Sequence, residues 1–202
     1  MIQALLVAQD SLQTAWVEWR IPADSAFGVE VRPVAPALVQ LSIVLPDGSS
    51  VPFTPVSGVP GRFDAAVTVT PGSRYDLAGT VAGVAVSSAT TVPGPLDIRI
   101  PARDTVTVDS SCIVCDLPYR WFAAGGAQYL YMQAANGTTG DTIGVVRLIR
   151  PFPASDTVPL TVLALEAHAA AFLTVETPQS SVRGVFGLFG AASRAQRWII
   201  FP

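Results

Sequence analysis

Over the first ninety residues, apolar and polar positions alternate in short runs, each ended by a turn. Residues 2–8 form a short apolar strand, turned by Gln9, Asp10 and Ser11. From 12 to 21 the alternation is clean. Ala15, Val17, Trp19 and Ile21 share one face, and Thr14, Trp16, Glu18 and Arg20 share the other. The first set is expected in the core. Glu18 and Arg20 mark the solvent side, with Trp16 partly covered. Residues 38–45 and 51–54 flank Pro46-Asp47-Gly48-Ser49 and predict a hairpin, because Gly supplies positive φ and Asp caps the bend. Residues 65–69, 75–81 and 84–92 follow as strands, with Pro71-Gly72 and Gly83 in the turns between.

Pro93-Gly94-Pro95 is the best boundary, since such residues stiffen and expose the backbone. Beyond it, strands are expected at 96–100, 105–108, 119–122, 127–134, 142–149, 160–165 and 197–202. Gly125-Gly126 and Asn136-Gly137 are turns, and 110–118 reads as a loop. One segment changes period. Ala169, Phe172, Leu173 and Glu176 recur at helical spacing, so a short helix is expected at 166–175, stopped by Pro178. The pattern predicts an all-β chain of two tandem antiparallel sandwiches. Residues 1–93 form an immunoglobulin- or transthyretin-like unit, and 96–202 a fibronectin-like unit with the helical insertion.

Composition narrows the function. Hydrophobic residues are 50 % of the 202 and charged residues only 13 %, which excludes intrinsic disorder. A net charge of -3 lacks the basic footprint of a nucleic-acid binder. All 12 basic residues are Arg. Lys commonly protects sheet edges, so here Pro, Gly and Thr must do so, or a partner must cover the edge; a genome rich in Arg, Ala, Gly and Pro codons explains the same bias. No run reaches the ~18 apolar residues of a membrane span. The nearest, 160–175, carries Glu166 and His168. The N-terminus has neither a basic segment nor a cleavage site. Either the protein is cytoplasmic or an export segment precedes Met1.

Little in the chain suggests catalysis. Cys112 and Cys115 form a single CxxC. Zinc needs two more ligands, and a redox motif should open a helix, whereas Asp116-Leu117-Pro118 follows. The pair is a local disulfide if the protein is exported, or two ordinary thiols. His168 is expected on the helix surface, with no G-x-S-x-G nucleophile elbow in the chain. Gly184, Gly187 and Gly190 imitate a phosphate loop, but no helix is signalled after them and no Lys exists. They read as a glycine-rich strand pair with Phe186 and Phe189 packed inward. Asp104, Asp109 and Asp116 lie in one region and Asp47 and Asp141 in turns, the ordinary place for Asp. No metal or cofactor is expected. Tyr119, Trp121, Phe122, Tyr129 and Tyr131 cluster, either as sandwich core or as an aromatic binding platform. The alternation leaves open whether Tyr129 and Tyr131 or Leu130 and Met132 face inward.

The phrase Val69-Thr70-Pro71-Gly72-Ser73-Arg74-Tyr75-Asp76-Leu77 resembles the V-x-P-G-x-x-Y-x-L hairpin of envelope sandwich domains, and residues 84–93 resemble the strand after it. Val162-Leu163-Ala164-Leu165-Glu166, a short helix and Arg183-Gly184-Val185-Phe186-Gly187 follow in order. Together these are similar to an uncharacterised family of outer-membrane lipoproteins often found near TonB-dependent receptors. Family members usually have Asp at the place of Glu166, and their glycine spacing differs from Gly184, Gly187 and Gly190. The resemblance implies an envelope location, two sandwiches and no assigned chemistry.

The expected function is a non-catalytic envelope protein-interaction module, lipid-anchored upstream of Met1, that serves an outer-membrane receptor or surface complex. Edge-strand pairing is its expected docking mode. The alternatives are a self-assembling subunit of a surface layer or filament, and a carbohydrate binder using Trp121, Tyr129 and Tyr131.

Overall fold

A computed structural model describes residues 1–21, 30–109, 111, 114–122, 125–127, 129–133, 143–149, 157–174 and 180–200. The chain forms β1 (Ile2–Val7), β2 (Gln13–Ile21), β3 (Glu30–Pro33), β4 (Val39–Val44), β5 (Ser50–Pro52), β6 (Thr54–Pro55), β7 (Arg62–Ala65), β8 (Arg74–Val81) and β9 (Val84–Thr91). Then come β10 (Asp97–Ile100), β11 (Thr105–Thr107), β12 (Val114–Phe122), β13 (Tyr129–Gln133), β14 (Ile143–Ile149), β15 (Thr157–Leu165), α1 (Ala167–Thr174) and β16 (Gly187–Ile200).

Three sheets make an all-β architecture. A long sheet runs β13-β15-β16-β1-β2-β7-β6, with β3 added to β2 and β11 to β16. A four-stranded sheet, β5-β4-β8-β9, and a three-stranded sheet, β10-β12-β14, complete the fold. Most pairings are antiparallel, but β16 runs parallel to β1 and to β11. The long sheet is therefore mixed rather than purely antiparallel.

The first core lies between the long sheet and the four-stranded sheet. Ile2, Leu6, Val17 and Phe63 meet Leu41, Ile43, Leu77 and Val86 there. The hairpins of the small sheet form as their turn chemistry dictates. The Asp47 carboxylate accepts the Ser49 amide at 2.9 Å and its hydroxyl at 2.6 Å, while Gly48 takes φ +84°. Ala82 and Gly83 both adopt positive φ in the two-residue loop between β8 and β9, the twist a tight hairpin needs. The Thr70 amide donates to the Tyr75 hydroxyl at 2.9 Å and closes the Pro71-Gly72 turn.

The second core joins Ile98, Cys115, Leu117 and Tyr119 of the three-stranded sheet to Leu160, Val162, Ala164 and Ile199 of the long one. β16 serves both cores. Phe189 and Ala191 complete the first, and Ile199 and Ala195 belong to the second. Residues 187–192 of the C-terminal half thus pair with β1 of the N-terminal half. The other face of β16 is covered by α1, where Ala169 and Ala170 pack with Ala192 and Leu165. A strand buried on both faces needs small side chains, and 190–193 reads Gly-Ala-Ala-Ser.

Four local expectations are corrected. Trp19 is 44 % exposed rather than buried. β1 pairs with β2 only as far as Val17, and Trp19 stands opposite Arg32 of β3. The loop expected at 110–118 becomes strand from Val114 onward. Residues 66–69 leave the ladder after Ala65. The Val67 carbonyl instead accepts from the buried Gln13 side chain, which also holds the Val7 amide and carbonyl. Phe189 is buried as expected, but Phe186 is 42 % exposed, its ring 6.5 Å from that of Phe172.

Candidate interaction site

β12 is the middle strand of the three-stranded sheet. Cys115, Leu117 and Tyr119 point into the second core, while Asp116, Pro118, Arg120 and Phe122 are exposed. On one side β12 is paired along its length by β14, from Val114 opposite Ile149 to Arg120 opposite Ile143. On the other side β10 reaches only Arg120, Trp121 and Phe122. Pro118 falls where β10 has ended, a position at which one flank of the strand makes no ladder bonds.

Arg197 of β16 donates to the carbonyls of Ile98 and Pro101 and ties β10 to β16. Residues of β12 and β15 share the second core. β14 is an edge of the three-stranded sheet and β13 an edge of the long one.

These two edges differ from the others in how they are treated. β5 is three residues long and ends in Pro52, β6 is two residues ending in Pro55, and β3 ends in Pro33. β10 has four residues, carries Asp97 and Arg99, and is followed by Pro101. The β9 edge is covered, because Arg183 bridges Ser87 and the Ser88 hydroxyl donates to the Ser181 carbonyl at 2.6 Å. A β-carbon on Gly184 would lie 2.0 Å from the Ala85 carbonyl oxygen, so this close cover requires glycine there. β14 has seven residues, Ile-Gly-Val-Val-Arg-Leu-Ile, without Pro. Among the described residues it has a strand on one side only. Short strands, prolines, charges and covering segments are the usual protections of an edge, and among the described residues β14 has only Arg147. In register, Arg147 stands opposite Asp116.

At the far end of the same sheet, Phe122 is 45 % exposed and two guanidinium groups lie over its ring. Arg99 is 5.2 Å and Arg120 5.3 Å from the ring centre. Such arginine–aromatic stacks are favourable at a surface and recur in protein interfaces.

Most of the residues singled out in the sequence lie on β12 and β13. Cys115 is buried and disulfide-bonded; Cys112, the other cysteine of the chain, lies outside the described residues. Trp121 pairs with Ile98 in the β10–β12 ladder. Tyr129 stands opposite Leu165 and Tyr131 opposite Leu163, residues of the face on which α1 packs. Leu130 and Met132 stand opposite Ala164 and Val162, which belong to the second core. The side chains of Trp121, Tyr129 and Tyr131 lie outside the described residues.

A second candidate is a surface cleft where the two cores meet. Two adjoining hollows, ≈ 420 and ≈ 620 Å³, share Arg74, Ala89 and His168. Glu166 sits at the back, buried. Its carboxylate accepts the amides of His168 and Ala169, each at 2.8 Å, and so caps α1. His168 is half exposed, its Nδ1 3.7 Å from Glu166. Arg74 is paired with Asp76 at 3.1 Å. Here the acid serves the helix and the arginine serves a neighbouring carboxylate, so the polar groups do not converge on a common point.

Two further acidic residues also do structural work. Asp109 accepts from the amide and hydroxyl of Ser111, and Asp104 pairs with Arg197 at 3.2 Å. Asp141 lies outside the described residues. Among the described residues, no group of three His, Cys, Asp or Glu side chains could hold a metal ion. No described helix is long and apolar enough to cross a membrane. After Gly184 the chain enters a strand of 14 residues, which removes the helix a phosphate loop requires. Sequence reading found the β14 segment as a strand but not its place at an edge, which depends on pairings between distant residues. The chain matches no family model and no curated protein sequence.

Proposed function

We propose that this chain is a non-catalytic protein-interaction module of the cell envelope. Its partners meet it along the β13 and β14 edges, and it belongs to a surface complex such as that around an outer-membrane receptor. The observation that carries this reading is the seven-residue β14 edge, free of proline, whereas among the described residues the β3, β5, β6, β9 and β10 edges are short, prolyl, charged or covered. An open edge supplies main-chain donors and acceptors to an incoming strand, and the side chains beside it supply selectivity. The Phe122 stack, at the β10 end of the same sheet, offers an aromatic anchor of the kind that dominates interface energetics. The disulfide at Cys115 fits an oxidising compartment outside the cytosol.

Site-specific photo-crosslinking in cells tests the reading. Amine-directed reagents do not suit a chain without lysine. Probes at Val145 and Tyr131 are expected to capture protein in the envelope fraction, and a probe at Val51 of β5 is not. Capture from Val51 alone, or recovery of the chain only in the cytosolic fraction, overturns it.

A further inference from the structure

We infer that a hollow on the outer face of the long sheet, between β2 and α1, binds one ring of a neutral sugar. The site lies apart from β14, so the inference does not rest on the reading above. The hollow measures ≈ 340 Å³, and Gln3, Leu5, Thr14, Trp16, Phe172 and Leu188 line it. The ladder sets its shape. Gln3 stands opposite Trp16 on one side and Leu188 on the other, and Leu5 stands opposite Thr14. β1 lies between β2 and β16, and α1 packs on β16. Trp16 and Phe172 therefore rise on opposite sides of β1. Trp16 is 38 % exposed, and the ring of Phe186 stands 6.5 Å from that of Phe172.

Size and charge select the occupant. This volume is at the lower end of small-ligand sites, about 300–1,000 Å³, whereas a protein partner covers about 800 Å² on each side. Among the described residues the lining carries no charged side chain. Asp64, opposite Thr14, is already held by Nε and Nη2 of Arg62, each at 3.0 Å, and by the Thr14 hydroxyl at 2.8 Å. An ion of either sign thus meets no unbalanced partner. A hydrocarbon suits the rings and leucines but not the polar groups. Gln3 Nε2 makes only a long contact, 3.7 Å, with Met1 Sδ. Among the described residues, Gln3 Oε1 and the Trp16 indole N–H have no protein partner. Hydrocarbon laid over them would leave a donor and an acceptor unsatisfied. A pyranose ring meets both demands. Its C–H face lies against the aromatic rings, and each hydroxyl at its rim can donate and accept.

Titration of the full chain with methyl glucoside, methyl galactoside and methyl mannoside tests the site, read by tryptophan emission and by saturation-transfer NMR. At least one glycoside is expected to give a saturable response. Trp16→Ala should abolish it with circular dichroism unchanged. Trp19→Ala, on the other face of β2 and 44 % exposed, should keep it. Phe172→Ala should weaken binding by about tenfold, the loss of one aromatic contact. Gln3→Leu separates the chemistries and does not depend on the Trp16 variant folding. It should weaken a sugar, which loses its amide partner, and strengthen an apolar ligand. No response to any of the three glycosides up to their solubility overturns the inference. So does a response retained in Trp16→Ala, binding unweakened in Gln3→Leu, or a hollow that takes up toluene and no glycoside.

Discussion

The Ser193 hydroxyl donates to the Pro93 carbonyl at 2.5 Å, with both residues buried and 100 positions apart. Ser193 lies on β16 between Ala191 of the first core and Ala195 of the second. The boundary motif Pro93-Gly94-Pro95 is thus anchored at the point where the shared strand passes from one sandwich to the other. Ser193→Ala leaves the carbonyl without this donor and should cost about 1–3 kcal/mol. Calorimetry should show a lower melting temperature and still a single transition. Two resolved transitions in the wild type would show that β16 does not couple the halves.

Phe189 belongs to β16 by sequence and to the first core by packing. Phe189→Ala should cost about 3–5 kcal/mol, the usual range for a buried ring. Amide exchange should quicken at Leu41 and Leu77, which share that core. Faster exchange confined to β15 would contradict the assignment.

Gly187 lies where β16 meets β1, and a β-carbon there would fall 2.1 Å from the Ile2 carbonyl oxygen. That atom is backbone and cannot swing away. Gly187→Ala should therefore destabilise by about 3 kcal/mol. Gly125→Ala, with nothing within 4 Å, serves as the control and should be near neutral in urea unfolding.

Glu166 caps α1 with both carboxylate oxygens. Glu166→Ala should cost about 1–2 kcal/mol in urea unfolding. Glu166→Gln keeps one acceptor and should cost less. Equal losses would mean that packing, not capping, is its contribution.

The Ser49 hydroxyl, and then its amide, hold the Asp47 carboxyl below its ordinary value of 3.8. A lowered acid pKa stabilises the fold above the unfolded value, and that contribution is lost as pH falls through the folded one. The window therefore lies below about pH 4. In an NMR titration, Ser49→Ala should move the Asp47 midpoint upward. No movement would remove the hydroxyl as the cause.

The strand pattern was largely legible because alternation and turn residues are local. The hairpin around Asp47 and Gly48 and the α1 segment appear where their residues predict them. Trp19 shows the limit. Alternation places it on the face of Ala15 and Val17, but it does not reveal how far the opposing sheet extends. β16 shows another. Its glycines and alanines look like a bulged pair of short strands, and only the helix on one face and two cores on the other explain a continuous strand of 14 residues. The candidate site was half visible, since Trp121, Tyr129 and Tyr131 precede β14 on the strands β12 and β13, while the place of β14 at an edge is a property of sheet order.

The order of synthesis gives β16 one more consequence. Residues 2–92 leave the ribosome nearly a hundred residues before Phe189 and Ala191, which complete their core. Until then the β1 backbone, destined for β16, faces solvent along Ile2–Val7. The first sandwich cannot finish folding before β16 has been made, and until then the nascent chain carries an open parallel-pairing edge. Contacts this distant in sequence form slowly, so a holding chaperone has its longest opportunity at the N-terminal strand.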